Sequence, residues 1–229
     1  MKIKRLTIKH DTTTLVDINF QIQRSLALVG ESGSGKSLTL KALLGMLPSS
    51  MTMELDVESS IKLERGSSIG FVPQNPFTAL SPLTKIKHQF FVDEAIVYQL
   101  FEKVGLDHEL LERFAPELSG GQLQRVVIAM ALSTKPKLIL LDEPTTALDP
   151  QTRVVIIELL RSLQQEMGFK MLFVTHDMVS AEALCDEICV IKSGKVQESG
   201  VMKEVLKHPK STYTKVLKEA SFAQRKFRE

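Results

Sequence analysis

The chain has 229 residues, 43% of them hydrophobic and 24% charged, the balance of a globular protein with ample core. Lys and Arg total 29 against 27 Asp and Glu, a formal charge of +2, so composition offers no electrostatic case for nucleic acid as a partner. The opening "MKIKRLTIKH" lacks the apolar stretch of a signal peptide, and runs such as "VVIAMAL" fall far short of a membrane span, so a soluble, cytosolic chain is expected and any work at a membrane would pass through a partner.

From the N-terminus, "KIKRLTIK" and "LVDINFQI" alternate apolar and polar residues and put Val16, Ile18, Phe20 and Ile22 on one face. Period 2 predicts two half-buried antiparallel strands. "LALV" (26–29) is a continuous apolar run stopped by glycine and predicts a fully buried parallel strand. "KSLTLKALLGML" predicts a helix ending near Pro48; residues 49–68 read as polar and irregular; "IGFVP" predicts a short strand. "DEAIVYQLFEKVGL" (93–106) has helical spacing with Gly105 as its stop, and "HELLERFAPEL" continues the helical character. Residues 75–118 are therefore expected as a small, mainly helical insertion within a single domain spanning 1–229.

From there helices and strands alternate: a helix after "LSGGQ", strand "LILLD" (138–142), helix 151–167, strand "MLFVT" (171–175), helix 178–185 and strand "EICVIK" (187–192). Such alternation predicts a parallel sheet covered on both faces. "KSGK" predicts a turn into a hairpin with "VQES", and residues 201–207 and 212–227 two closing helices. Cys185 and Cys189 read as buried small hydrophobes, since two ligands do not complete a zinc-type site.

Four stretches carry chemistry. "GESGSGKS" (30–37) matches G-x-x-x-x-G-K-[ST] between a predicted strand and a predicted helix. Gly30, Gly33 and Gly35 let the backbone wrap a polyphosphate, Lys36 reaches its β- and γ-phosphates, and Ser37 offers a hydroxyl to Mg²⁺. "LILLDEP" (138–144) ends a buried strand in two acids: Asp142 suits Mg²⁺, and Glu143 suits polarising a water. "VTHD" (174–177) puts His176 just past a strand's C-terminal end, the ligand edge of a parallel sheet, where it reads as a γ-phosphate partner or as a structural histidine. "FVPQNP" (71–76) puts Gln74 after a short strand, able to touch both water and Mg²⁺. A second Gly-rich stretch, "LSGGQLQR" (118–125), opens a helix with no lysine of its own.

These motifs, together with "TALD" (146–149), stand in the order and rough spacing of ABC-type ATPases, which the chain resembles over nearly its whole length. The resemblance implies an α/β P-loop fold with a mainly parallel central sheet, an N-terminal antiparallel β portion and a small helical subdomain. It implies ATP and Mg²⁺ as cofactors, the nucleotide held by Gly30, Glu31, Ser32, Gly33, Ser34, Gly35, Lys36, Ser37 and Leu38. Glu143, His176 and Gln74 become the hydrolysis residues, and Ser37, Gln74 and Asp142 the metal's. In this family two ATPase domains dimerise head to tail, so Ser119, Gly120, Gly121 and Gln122 would face a nucleotide bound by the partner, with Asp149 across the interface. Thr146 stands where the family usually has serine. His10 occupies the place of the family's adenine-stacking aromatic, or is simply an exposed strand end.

"QNPFTALSPL" and "HPKSTYTKVL" resemble elements of the peptide and nickel importer subfamily. The chain stops soon after the second of these, with no cysteine there, which tilts the reading toward nickel or a related metal complex over peptides. The implied partners are a second ATPase subunit, transmembrane permease subunits and, indirectly, an extracytoplasmic substrate-binding protein, at the cytoplasmic face of the inner membrane. A soluble, non-transport ABC ATPase is the alternative. The basic tail (Lys215, Lys218, Arg225, Lys226, Arg228) reads as a solvated helix face or a lipid and permease contact.

Overall fold

The computed structural model describes residues 1–223. In chain order the strands are β1 (Lys2–His10), β2 (Thr13–Gln21), β3 (Ser25–Val29), β4 (Met51–Glu58), β5 (Ile69–Val72), β6 (Leu138–Asp142), β7 (Lys170–Thr175), β8 (Glu187–Lys192) and β9 (Lys195–Val201). The α-helices are α1 (Lys36–Leu43), α2 (Glu94–Lys103), α3 (Gly120–Leu132), α4 (Pro150–Met167), α5 (Met178–Leu184), α6 (Met202–Lys207) and α7 (Thr212–Ala223). They belong to two compact units, one formed by Met1–Leu63 with the chain from Lys170 onward, the other by Glu64–Phe169.

The first unit begins with the expected alternation. β1 and β2 pair antiparallel, Leu6 against Ile18 and Ile8 against Val16, and all four side chains are buried. β3 is buried along its whole length and lies between two parallel strands, β7 with Val29 opposite Thr175 and β8 with Val29 opposite Val190. β8 and β9 form the expected antiparallel hairpin, and β9 meets β2 in parallel at Asp17 and Lys195. The hairpin turn uses Ser193 (φ +47°) and Gly194 (φ +73°), the left-handed pair that matches the strand twist.

Two expectations are corrected here. The stretch 49–68 is not wholly irregular: β4 pairs antiparallel with β1, from His10 opposite Met51 to Lys2 opposite Glu58. Met51, Met53, Leu55 and Val57 do alternate, but β4 buries none of them fully and its other residues are polar and exposed, so the hydrophobic signal is faint. Cross-strand pairs Lys4–Glu58 (3.2 Å) and Lys9–Glu54 (3.9 Å) suit that exposed ladder. The helix after β3 stops at Leu43 rather than near Pro48. Gly45 (φ +63°) donates to Ala42 O and Met46 to Lys41 O, a left-handed glycine termination that unwinds the chain before the proline is reached.

In the second unit β5 and β6 run parallel, Ile69 opposite Leu138 through Val72 opposite Leu141. Helix α3 crosses β5 so closely that a Cβ at Gly70 would lie 2.3 Å from the carbonyl oxygen of Ala131. Helix α2 is capped by the Asp93 carboxylate and ends at Gly105 (φ +65°), as its sequence predicts. The helical character expected over "HELLERFAPEL" is present only as two 3-10 turns, His108–Glu112 and Ala115–Glu117, parted by extended Arg113 and Phe114. Pro116 explains the break, since its ring cannot continue a helix from the preceding turn.

Cys185 and Cys189 are buried, and burial pushes the Cys189 thiol up to about 12 and Cys185 well above its usual range, so neither is a ready thiolate. Lys218 donates to Leu206 O at 2.7 Å, while Arg225, Lys226 and Arg228 lie outside the described residues.

Candidate functional site

The loop 30–37 joins the buried end of β3 to the start of α1. Gly33 (φ +79°) and Gly35 (φ +105°) hold backbone that only glycine adopts without strain, and Gly35 caps α1 with no side-chain help. Gly30 is demanded by space: a Cβ there would sit 2.3 Å from Ile191 O, at the end of β8. The turn after β8 braces the loop from the other side, as Gly194 donates its N–H to Ser34 O at 3.0 Å and accepts from Asp17 N–H at 2.7 Å.

Lys36 is buried and folded back over this loop, its Nζ donating to Gly30 O at 2.7 Å and Glu31 O at 2.9 Å. Ser34 Oγ is buried and meets no hydrogen-bond partner. Ser32 and Ser37 are exposed, and Leu38 is half-buried. An ammonium resting on carbonyls beside an unsatisfied hydroxyl, at a helix start, is what a polyphosphate would satisfy. The donor set named for the metal, Ser37, Gln74 and Asp142, is all oxygen, which suits Mg²⁺. Among the described residues no cluster of three His, Cys, Asp or Glu is poised to hold a metal alone.

β7 delivers His176 to this same edge. Thr175 is in register with Val29, so His176 and Gly30 are the next residues of two neighbouring strands. The exposed imidazole leaves a turn fixed by its neighbours: Asp177 N–H donates to Thr175 Oγ1 at 2.9 Å, and the Asp177 carboxylate accepts from Val179 N–H and Ser180 Oγ. His10 ends β1 at the hairpin, exposed, its Nδ1 3.6 Å from the Asp11 carboxylate.

In the second unit the last aligned pair of β5 and β6 is Val72 and Leu141. Two residues on, Gln74 and Glu143 therefore leave the same edge, with Asp142 between sheet and turn. Glu143 sits at φ +44°, uncommon for a residue with a side chain, and its carboxylate accepts from Thr146 Oγ1 at 3.0 Å.

The "LSGGQ" stretch caps α3. Ser119 Oγ accepts from Gln122 N–H at 3.3 Å, and Gln122 Oε1 accepts from Ser119 N–H at 2.9 Å. Asp149 caps α4, accepting from Gln151 and Thr152 N–H at 3.1 and 3.0 Å. The Thr152 hydroxyl and backbone hydrogen bonds hold its carboxyl below the usual aspartate range. Ser119, Gly120, Gly121, Gln122 and Asp149 line one cavity of about 760 Å³. The tertiary structure adds Arg113 and Arg125 to that cavity. Arg125 donates to Gly105 O at 3.0 Å. Its place four residues after Gly121, on the same helix face, was the signal that could have found it.

The description "ABC transporter" fits residues 15–146. Over 93% of its length the chain is 34% identical to 91% of the metal-staphylopine import system ATP-binding protein CntD of Staphylococcus aureus (strain NCTC 8325 / PS 47). Over 93% of its length it is 33% identical to 69% of the oligopeptide transport ATP-binding protein OppD of Bacillus subtilis (strain 168). Among solved structures, the dimeric ATP-binding cassette MJ0796 bound to ADP and Pi, in a post-hydrolysis state, superposes with a TM-score of 0.70 at 27% identity, covering 88% of this chain and 98% of that one.

Proposed function

This chain belongs to the ABC transporter family of ATPases, and on that premise we propose that it energises an importer whose cargo is nickel or a related metal complex. The observation that carries the ATPase site is the loop 30–37, with Lys36 lodged on the Gly30 and Glu31 carbonyls. Lys36 would exchange those carbonyls for the β- and γ-phosphates of ATP, and the N–H groups of Gly33–Ser37 would take the remaining phosphate oxygens. Ser37, Gln74 and Asp142 would hold Mg²⁺, which would supply neutralising charge to the phosphate oxygens. Glu143 takes the proton of the attacking water, His176 holds the γ-phosphate, and His10 stacks on adenine.

Ser119, Gly120, Gly121, Gln122 and Asp149 serve a second subunit's nucleotide. The cavity they line supports this reading, as does the dimeric state of the related cassette. No helix among the described residues is long and apolar enough to cross a membrane, which agrees with a peripheral subunit working through permease partners at the cytoplasmic face. The metal reading leans on the likeness to the metal-staphylopine protein; the likeness to the oligopeptide protein supports a peptide cargo as the second reading.

Glu143→Gln tests the site. Turnover falls by roughly a hundredfold or more, as expected on losing a general base, while ATP still binds and dimers accumulate; normal turnover in this variant removes Glu143 as the base. Uptake of nickel, cobalt and short peptides in a strain lacking the gene tests the cargo, and peptide uptake lost with nickel uptake intact overturns the metal reading.

A further inference from the structure

Tyr213 lies in the first turn of α7, 182 residues from Glu31, yet its phenol oxygen accepts the Glu31 N–H at 3.1 Å. The carbonyl of that same Glu31 accepts from Ser34 N–H at 3.2 Å and from Lys36 Nζ at 2.9 Å. One residue of the loop therefore links the tyrosine to the lysine. The ring is itself fixed, with Lys192 Nζ 4.6 Å from its centroid. Lys192 follows Ile191, whose carbonyl crowds Gly30. The approach to α7 is held by Glu198 of β9, whose two carboxylate oxygens accept from Lys210 and Ser211 N–H at 2.9 and 3.0 Å. Burial pushes the Glu198 carboxyl up, but these two N–H groups, the Thr214 side chain and the Lys210 charge together bring the net shift downward.

We propose that Tyr213 is a positioning residue of the ATP loop: its hydroxyl anchors Glu31 so that the following N–H groups face the polyphosphate, and it ties nucleotide affinity to the docking of α7. The inference rests on the reading of residues 30–37 as the ATP loop. When Lys36 leaves Glu31 for phosphate, the Glu31 carbonyl keeps only the Ser34 N–H, and the bond that Glu31 N–H donates to Tyr213 becomes a larger share of what holds the start of the loop in place.

Tyr213→Phe keeps the ring and its cation contact and deletes only the acceptor. The measurements are amide hydrogen exchange at Glu31 in the nucleotide-free protein, Kd for a fluorescent ATP analogue, kcat and KM for ATP, and the urea midpoint. Expected are faster exchange at Glu31, Kd and KM raised about three- to tenfold, the range of one net hydrogen bond, a urea midpoint lowered only slightly so that the protein stays fully folded in the assay, and kcat within about twofold of the parent. Unchanged exchange at Glu31 overturns the proposal. So does faster exchange with unchanged Kd, a loss confined to kcat, or a rise in KM that a lowered midpoint accounts for. Lys36→Ala separates this from the reading beneath it: unimpaired nucleotide binding there sinks the ATP loop, whereas Glu31 exchange is read without nucleotide.

Discussion

Ser119 and Gln122 satisfy one another, each side-chain oxygen accepting the other residue's backbone N–H, at 3.3 and 2.9 Å. Two polar side chains of the second Gly-rich stretch are thus engaged in starting α3. The glycines between them, Gly120 and Gly121, form its first turn, on a cavity shared with Asp149.

Those two glycines are not equivalent, and alanine separates them. A Cβ at Gly121 would lie 2.8 Å from Thr152 Cγ2, a stiff β-branched side chain, whereas at Gly120 the first contact is Leu148 Cδ2 at 4.0 Å. Gly121→Ala is expected to cost about 1–3 kcal/mol from overpacking, and Gly120→Ala to leave stability unchanged or raise it by up to about 1 kcal/mol. Both should lose ATPase activity if this face meets a partner's phosphate. Urea midpoints beside ATPase rates check this, and full activity in a stable Gly120→Ala counts against the dimer reading.

Gly194 wedges between β2 and the loop after β3. A Cβ there would sit 2.0 Å from Leu15 O and 3.0 Å from Val16 Cα, at φ +73°. Neither neighbour is a side chain that can swing away. Gly194→Ala should therefore cost about 3 kcal/mol or more, the sum of left-handed strain and overpacking. The adjacent Ser193→Gly, at φ +47°, should stabilise by up to about 1 kcal/mol. Chemical denaturation of the two variants side by side reads out the contrast.

The Asp149 carboxyl is held below its ordinary value of 3.8 by the Thr152 hydroxyl and by backbone N–H groups at the start of α4. A carboxyl with a depressed folded pKa adds stability that is fully present above the unfolded value and is lost as pH falls through the folded one. Stability measured from pH 6 down to about pH 2 should thus show a component lost below about pH 4. Asp149→Asn, which keeps a capping oxygen but cannot titrate, should remove that component. An unchanged acid slope in Asp149→Asn would show that the cap is not its source.

Most of the fold was legible because the signals are local. The alternation of "LVDINFQI", the unbroken apolar run of β3, and glycine stops such as Gly105 each act within a few residues, and the structure places strands and helices there. β4 escaped because an exposed strand needs little burial: its backbone bonds to β1 define it, and its apolar residues, half-buried or exposed, barely mark it. The turns of 107–118 escaped because helical spacing does not tell a 3-10 turn from an α-helix once proline intervenes.

The sequence by itself determined the chemistry that acts within one loop: the glycines that can take positive φ, the lysine that folds onto its own loop, the reciprocal cap of Ser119 and Gln122. Hydrogen bonds spanning three to six residues need only the order of neighbours. Only the tertiary structure decided that His176 leaves the sheet beside Gly30, that Leu15 leaves no room for a side chain at Gly194, and that Tyr213 holds Glu31. Each of these depends on strand register or helix docking between residues remote in the chain, and a one-residue slip in register would abolish it while leaving every local pattern intact.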